Sequence, residues 1–110
     1  MTPNISLLVV TTSLPTLEQA QIIARKLVKN RLAACVQIQQ GVHSIYRWDG
    51  KICEESEVLL SAKTTAAHWE EIRAFIQNNH PYELPEIIAF TPVEYERQYG
   101  QWVEAELNRK

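Results

Sequence analysis

Ser44-Ile-Tyr-Arg-Trp-Asp-Gly-Lys-Ile52 is the segment that decides the fold, because it places a two-residue turn between two β-type runs. Asp49-Gly50 is among the strongest short hairpin signals, since both residue types tolerate the positive φ that a type I′ turn requires. The run before the turn extends back to about Ala33, and the run after it continues to about Lys63. Two long antiparallel strands are therefore predicted at the centre of the chain.

The other elements extend outward from this hairpin. Upstream, the apolar run Ile5–Val10 is typical of a central strand, and a capping box at Thr16 begins a helix that continues to about Asn30. Downstream, apolar spacing predicts a second helix that ends near Asn79, a fourth strand over 86–91, and a C-terminal helix. The predicted order is βαββαβ followed by one helix.

This order predicts an α+β fold of the ferredoxin-like type, built from two split βαβ units. Helices then cover one face of an antiparallel sheet, and the first and third strands are central. We expect one such domain over residues 1–110, with the extra helix at its C-terminus.

The predicted hairpin is too long for a domain of this size. The segment from Ala33 to Trp48 would span about 50 Å at about 3.3 Å per residue, whereas a compact chain of this length has a diameter of about 35 Å. Gly41 offers a bulge or bend, and the remaining overhang would expose Tyr46 and Trp48 in a monomer. We therefore expect a homo-oligomer in which this arm lies across a neighbouring subunit.

Register counted from the turn places the two cysteines. With Asp49-Gly50 as the whole loop, Tyr46 faces Cys53, and without a bulge Cys35 would face Thr64. The two thiols then lie far apart along the hairpin, so an intrachain disulfide is not expected.

Composition and motifs exclude several classes of function. A net charge of −2 provides no electrostatic footprint for nucleic acid or for an anionic membrane. No apolar run approaches the length of a membrane span and no signal peptide is recognised, so a cytoplasmic location is expected. The three glycines form no phosphate-binding loop, and HExxH and GxSxG are absent from the sequence. An enzyme is therefore the least expected class.

A second informative segment, His80-Pro-Tyr-Glu-Leu-Pro-Glu-Ile87, joins a helical pattern to a strand. Its two prolines fix φ and bias the residues before them towards extended backbone, so His80, Tyr82 and Glu83 are presented on a stiff loop. A simple helix stop followed by a strand start is the alternative, with His80 as a favourable cation at the helix C-terminus.

Cys35 has the opposite parity to Val36 and Ile38, which predicts it on the sheet face away from the helices. A small buried thiol is the commoner role of a free cysteine. Thiolate and imidazole nevertheless suit copper and zinc, so Cys35 and His80 are candidate metal ligands if the fold unites them. The acidic run Glu54-Glu55-x-Glu57 is interpreted as a solvated strand face.

Three segments, Arg31-Leu-Ala-Ala-Cys-Val36, Ser44–Ile52 and His80–Ile87, resemble the CutA family of divalent-cation tolerance proteins and stand in the family's order. The resemblance covers nearly the whole chain. It implies a tight homotrimer, similar in architecture to the PII signalling proteins, in which the long hairpins pack around a three-fold axis and extend the sheets of neighbours.

The resemblance also implies copper binding and a set of site residues. By position, Cys35 and His80 would be the metal ligands and Glu83 a third, while Lys63, Tyr82 and Trp48 would lie in an intersubunit cleft. We therefore expect a homotrimer that binds copper or another divalent metal, takes part in metal tolerance and homeostasis, and needs no obligatory cofactor.

Two other functions stay open on the sequence. One is a PII-like sensor whose cleft binds a small metabolite or anion through Lys63, Tyr82 and His80. The other is a rigid trimeric scaffold for protein partners. Neither interpretation involves nucleic acid or a membrane.

Overall fold

The hairpin around Asp49-Gly50 is the longest feature of the computed structural model, which describes residues 6–108. The elements are confirmed in the predicted order: β1 (Leu7–Leu14), α1 (Leu17–Lys29), β2 (Cys35–Trp48), β3 (Lys51–Thr65), a 3-10 turn (Ala66–His68), α2 (Trp69–Asn79), β4 (Ile88–Phe90) and α3 (Arg97–Asn108). The predicted start of the first strand at Ile5 lies outside the described residues.

The four strands form one antiparallel sheet in the order β2-β3-β1-β4, so the prediction that the first and third strands are central is confirmed. Two strand boundaries differ from expectation. β2 begins at Cys35 because the amides of Leu32 and Ala33 both donate to the Leu27 carbonyl and so close α1 instead. β4 is short because only Ile88–Phe90 reach β1, opposite Thr11 to Val9.

The helices divide between the two faces of the sheet. α1 and α2 cover one face, where Val10, Leu60 and Ala62 meet Ile23 and Ile72 in the main core. α3 packs on the other face through Val103 and Leu107 against Leu7. We call this second face the open face, because α3 covers only one end of it. Within residues 6–108, no helix has the length and apolar character needed to cross a lipid bilayer.

A β-bulge in β2 corrects the register counted from the turn. Gln39 pairs with Leu59 but Val42 pairs with Glu57, so two residues of β2 stand against one of β3. Gly41 lies in this bulge with φ of 81°, a conformation that glycine adopts without steric cost. The bulge offered by Gly41 is therefore confirmed, and Cys35 faces Lys63 rather than Thr64.

The same extra residue exchanges the faces of β2. Before the bulge, odd-numbered residues such as Cys35 share the open face with Lys63; after it, even-numbered residues do, including Tyr46 opposite Cys53. The predicted pair Tyr46–Cys53 is confirmed, and Trp48 pairs with Lys51. The aromatic side chains near the hairpin tip consequently lie on the face that also carries Cys35.

The hairpin projects beyond the rest of the sheet. β1 ends with Leu14 opposite Val58, so the part of the hairpin from 42 to 57, which we call the arm, has no further strand beside it. The molecule measures 53 × 27 × 23 Å with a radius of gyration of 15.0 Å, compared with about 13 Å for a compact domain of this length. The arm's apolar side chains are exposed, including Ile45 (64%), Trp48 (54%) and Ile52 (66%).

Gly100 provides a test of how α3 is held. A Cβ at this position would overlap the ring of Tyr95. Helix propensity alone favours alanine over glycine by about 1 kcal/mol, whereas displacing a packed ring costs about 1–3 kcal/mol. We expect Gly100→Ala to lower the free energy of unfolding in urea, and to raise it in a Tyr95→Ala background. A stabilising Gly100→Ala in the otherwise unchanged protein would contradict this packing.

Candidate functional site

A groove with a volume of about 790 Å³ opens where the arm leaves the four-stranded sheet. The open face of the arm forms one wall and the loop from Pro81 to Glu86 forms the other, with Ser13 at the end of β1 between them. We call it the arm groove. It exists because the hairpin extends beyond the end of β1, and the loop from α2 to β4 crosses that end.

His80 fixes the start of this loop. Its Nε2 donates to the Ser13 carbonyl at 2.8 Å, and its Nδ1 accepts from the Tyr82 amide at 3.1 Å. The ring is therefore neutral with its proton on Nε2, and both nitrogens are engaged. Burial lowers the pKa of His80, and this outweighs the opposing effects of the Ser13 hydrogen bond and the Glu57 charge. The expected helix-end position is confirmed, but the ring acts there as a neutral anchor.

Tyr82 joins the loop to the arm. Its hydroxyl donates to Glu57 Oε2 at 2.8 Å, and its ring lies 5.0 Å from that of His80 between centroids. Burial, reinforced by the Glu57 hydrogen bond, raises the pKa of Tyr82 well above its usual value. Glu57 is only 8% exposed, so the interpretation of the whole acidic run as a solvated face is wrong at this residue.

The groove is acidic and aromatic. Among the described residues, no Lys or Arg lines it. Its lining includes four carboxylates and three aromatic side chains: Glu55, Glu57, Glu83, Glu86, Tyr46, Trp48 and Tyr82. Partial desolvation, followed by the hydrogen bond with Glu55 and its charge, raises the pKa of Tyr46, which lines the same groove. The lining therefore favours positively charged ligands over anions.

The predicted cleft residues separate into two places. Tyr82 and Trp48 line the arm groove together with Glu83. Lys63 lies elsewhere on the open face, next to Cys35, and its Nζ donates to Gln37 Oε1 at 2.6 Å. An anion bound through Lys63 and Tyr82 together would have to span these two places.

Cys35 and His80 are also apart within the chain. Cys35 pairs with Lys63, whereas His80 binds Ser13, which pairs with Leu59. Four residues along β3 correspond to about 13 Å. Cys35 is half-buried and lies near Tyr99 of α3. The pKa of Tyr99 is raised mainly by its own burial and further by the neighbouring Cys35. Across residues 6–108, no group of three His, Cys, Asp or Glu side chains is placed to hold one metal ion.

Sequence reasoning did not find Glu55, Glu57 and Tyr46 as groove residues. The alternation Glu55-x-Glu57 does indicate a shared strand face, but the burial of Glu57 depends on Tyr82, which is 25 residues away in sequence. Cys53, predicted to lie opposite Tyr46, lines the groove as well.

The chain thus combines a ferredoxin-like α+β fold with a projecting hairpin arm and an acidic groove. The sequence profile described as "CutA1 divalent ion tolerance protein" matches residues 8–106. The chain therefore belongs to the CutA1 divalent ion tolerance family.

Individual relatives agree with this assignment. The divalent-cation tolerance protein CutA of Thermus thermophilus is 43% identical over 95 residues, which is 86% of this chain and 92% of the relative. The crystal structure of CutA from Xylella fastidiosa has a TM-score of 0.91 at 38% identity and covers 94% of this chain and 99% of that one. Both the sequence and the fold are thus those of the family over most of the chain.

A plant relative bears on length and location. Protein CutA, chloroplastic, of Arabidopsis thaliana is 35% identical over 96 residues, which is 87% of this chain but 53% of the relative. The chain therefore spans about half the length of this relative. Because a family member carries a chloroplast designation, the cytoplasmic location expected for this chain stays a prediction.

The engaged state of His80 predicts how stability depends on pH. Because burial lowers its pKa in the folded protein, the unfolded chain binds the proton at higher pH. The stability provided by the neutral ring is present above about pH 6.5 and is lost as the pH falls through the lowered folded-state value. We expect the melting temperature to fall more steeply below that pH than in His80→Asn, whose amide can accept the Tyr82 N–H without titrating. Parallel pH profiles for the two proteins would contradict this role.

Proposed function

We propose that the protein is a homotrimer that binds copper or another divalent metal and contributes in this way to divalent-cation tolerance and metal homeostasis. The observation that carries the proposal is the free, half-buried thiol of Cys35 on the open face, in a chain of a divalent ion tolerance family. A thiolate prefers soft and borderline metals, which include copper and zinc. The family is described by tolerance rather than by a catalysed reaction, so we expect no enzymatic activity.

The proposed ligands are Cys35 of one subunit with His80 and Glu83 of another. Because Cys35 and His80 of the same chain lie about 13 Å apart along the sheet, they cannot bind one ion together without a second subunit. Glu83 is exposed on the loop and offers a carboxylate. His80 would have to release the Tyr82 amide from Nδ1 to coordinate metal. Cys35 is therefore the indispensable ligand of the set.

The arm supports the trimer. β2 is an edge strand of the sheet, and the arm exposes Ile45, Trp48 and Ile52, a combination that promotes association unless it is covered. A neighbouring subunit that pairs with β2 would provide hydrogen-bond partners for the backbone of this edge strand. By packing on these side chains, it would also bury the apolar surface. A trimer would also bring the open-face thiol of one chain towards the loop of the next.

The alternative of a PII-like sensor depends on the charge of its ligand. The arm groove supports a small ligand, but its carboxylates disfavour the metabolic anions considered from the sequence, and Lys63 is engaged by Gln37 outside it. A rigid trimeric scaffold has no specific contact in its favour. The metal-binding trimer therefore remains the function that we propose.

Substitution on the arm tests the trimer. We expect light scattering to give a mass about three times the 12.7 kDa of one chain, and we expect Ile52→Lys to shift the protein towards the monomer. A desolvated ammonium in the interface carries a large free-energy penalty, whereas the same side chain in a monomer stays in water. Ile22→Lys, a matched change on the outer surface of α1, should leave the trimer intact. A monomer at micromolar concentration for the unchanged protein would contradict the proposal.

Competition for Cu(I) under reducing conditions tests the metal site. Cys35→Ala and His80→Ala should each weaken binding by about tenfold or more, which corresponds to about 1.4 kcal/mol. Cys53→Ala removes the other thiol of the chain and should leave the affinity unchanged, because Cys53 is not one of the proposed ligands. Affinity should also fall below about pH 6, as the ligands become protonated. Weak binding that is indifferent to Cys35→Ala would mean adventitious metal.

A further inference from the structure

The arm leaves the sheet at a level where the hairpin itself is weakest. β1 ends with Leu14 opposite Val58, so from Glu57 outward the sheet is reduced to two strands. On β2 the same level carries the bulge at Gly41, where the ladder of backbone hydrogen bonds is interrupted. A Cβ built at Gly41 would meet no atom of residues 6–108 within 4 Å, apart from its chain neighbours. Bending of the arm would therefore be concentrated at this level.

A contact from outside the hairpin meets the arm at the same level. Glu57 pairs with Val42, the first paired residue of β2 after the bulge. The Oε2 of Glu57 accepts the Tyr82 hydroxyl at 2.8 Å, and only 8% of Glu57 is exposed. A hydrogen bond to a charged group is stronger than one between neutral groups, and burial strengthens it further. Tyr82 therefore holds β3 at the base of the arm, where bending would occur.

Tyr82 is itself fixed to the sheet. His80 accepts the Tyr82 amide at Nδ1 and donates from Nε2 to the Ser13 carbonyl, at 3.1 and 2.8 Å. Ser13 belongs to β1 and pairs with Leu59, so these contacts begin inside the sheet. Pro81, between His80 and Tyr82, has a fixed φ and stiffens the connection. We call this series of contacts the strut, which consists of Ser13, His80, Tyr82 and Glu57.

We propose that the strut fixes the direction of the arm before a neighbouring subunit binds. The arm is then already aligned for pairing, and association does not have to order it. Without the strut, the arm would sample several directions about the bulge, and only the aligned fraction could bind. The direction of the arm is a property of one chain, whereas its consequence for assembly rests on the proposed homotrimer.

Distances between two spin labels in a single chain test the strut. Labels at Lys51→Cys, beside the turn, and at Glu71→Cys, an exposed position of α2, report the direction of the arm relative to the helices. The labelled chain also carries Ile52→Lys, Cys35→Ala and Cys53→Ala. It is measured at a concentration where light scattering gives the mass of one chain. We expect a single narrow distance distribution.

Tyr82→Phe removes the hydroxyl of the strut and keeps the ring. Because the buried carboxylate then loses this donor, the ratio of bent to aligned arms should rise by about tenfold, which corresponds to about 1.4 kcal/mol. Tyr46→Phe is the matched control, since this hydroxyl lies in the same groove but bonds to Glu55 within the arm. The control should keep the narrow distribution.

Two substitutions of Glu57 test the other end of the same hydrogen bond. Glu57→Gln retains an oxygen that accepts the Tyr82 hydroxyl and should keep the arm aligned. Glu57→Leu removes the acceptor and should broaden the distance distribution as Tyr82→Phe does. Thermal melting shows whether each variant keeps its fold.

Dissociation of the unlabelled assembly tests the consequence for association. In the otherwise unchanged protein, Tyr82→Phe should raise the concentration at which half of the trimer dissociates by about threefold or more, because the apparent affinity falls with the aligned fraction of each arm. Glu57→Gln should leave this concentration unchanged.

The possible failures of these experiments are distinguishable. Equal distance distributions with and without the Tyr82 hydroxyl, or equal broadening in Tyr46→Phe, would overturn the proposal, because the arm would then owe its direction to something other than the strut. A broadened distribution with unaltered dissociation would overturn the consequence for assembly. If the unchanged protein is a monomer, the homotrimer is wrong, and the label distances still decide whether the strut directs the arm.

Discussion

The difference in length between the strands is the constraint on which the rest of this structure depends. β2 and β3 have 14 and 15 residues, while β1 has 8 and β4 has 3. Beyond Leu14 the sheet is therefore reduced to two strands, and a two-stranded hairpin is marginally stable in water by itself. The arm needs other contacts, and the hydrogen bond from Tyr82 to Glu57 provides one of them within the chain. The exposed apolar side chains of the arm need further contacts from outside the arm.

The bulge at Gly41 determines what the arm presents. One extra residue exchanges the two faces of a strand, and here it brings Tyr46 and Trp48 to the open face beside Glu55. In a continuous ladder the neighbouring Ile45 and Arg47 would occupy that face, and the groove would contain a basic side chain. The aromatic side chains on this wall of the groove thus depend on one glycine with a positive φ, whereas the carboxylates come from β3 and the loop.

The fold could be predicted from the sequence because its signals are local. Asp49-Gly50, the capping box at Thr16 and the apolar spacing of the helices each act within a few residues, and the structure places every element in the predicted order. Register required one further fact, the bulge, because a glycine within a strand is compatible with several local conformations. Counting from the turn was therefore correct at Tyr46 and wrong by one residue at Cys35.

The candidate site was less accessible to sequence reasoning, because it depends on contacts between distant segments. Glu57 looks like any exposed strand carboxylate until Tyr82 covers it. The side chain of His80 looks like a free imidazole until Ser13 and the Tyr82 amide engage it. A resemblance to a family can indicate which residue types matter, but only the register shows at which level of the sheet each of them lies.

The fold keeps the Cys35 thiol and the Glu57 carboxylate apart within one chain. They lie on the same face, but six residues along β3 separate the partner of Cys35 from Glu57, which is about 20 Å. A soft thiolate and hard carboxylates held that far apart cannot act on the same ion. Within one chain, an ion bound at Cys35 therefore cannot also be bound by the carboxylates of the arm.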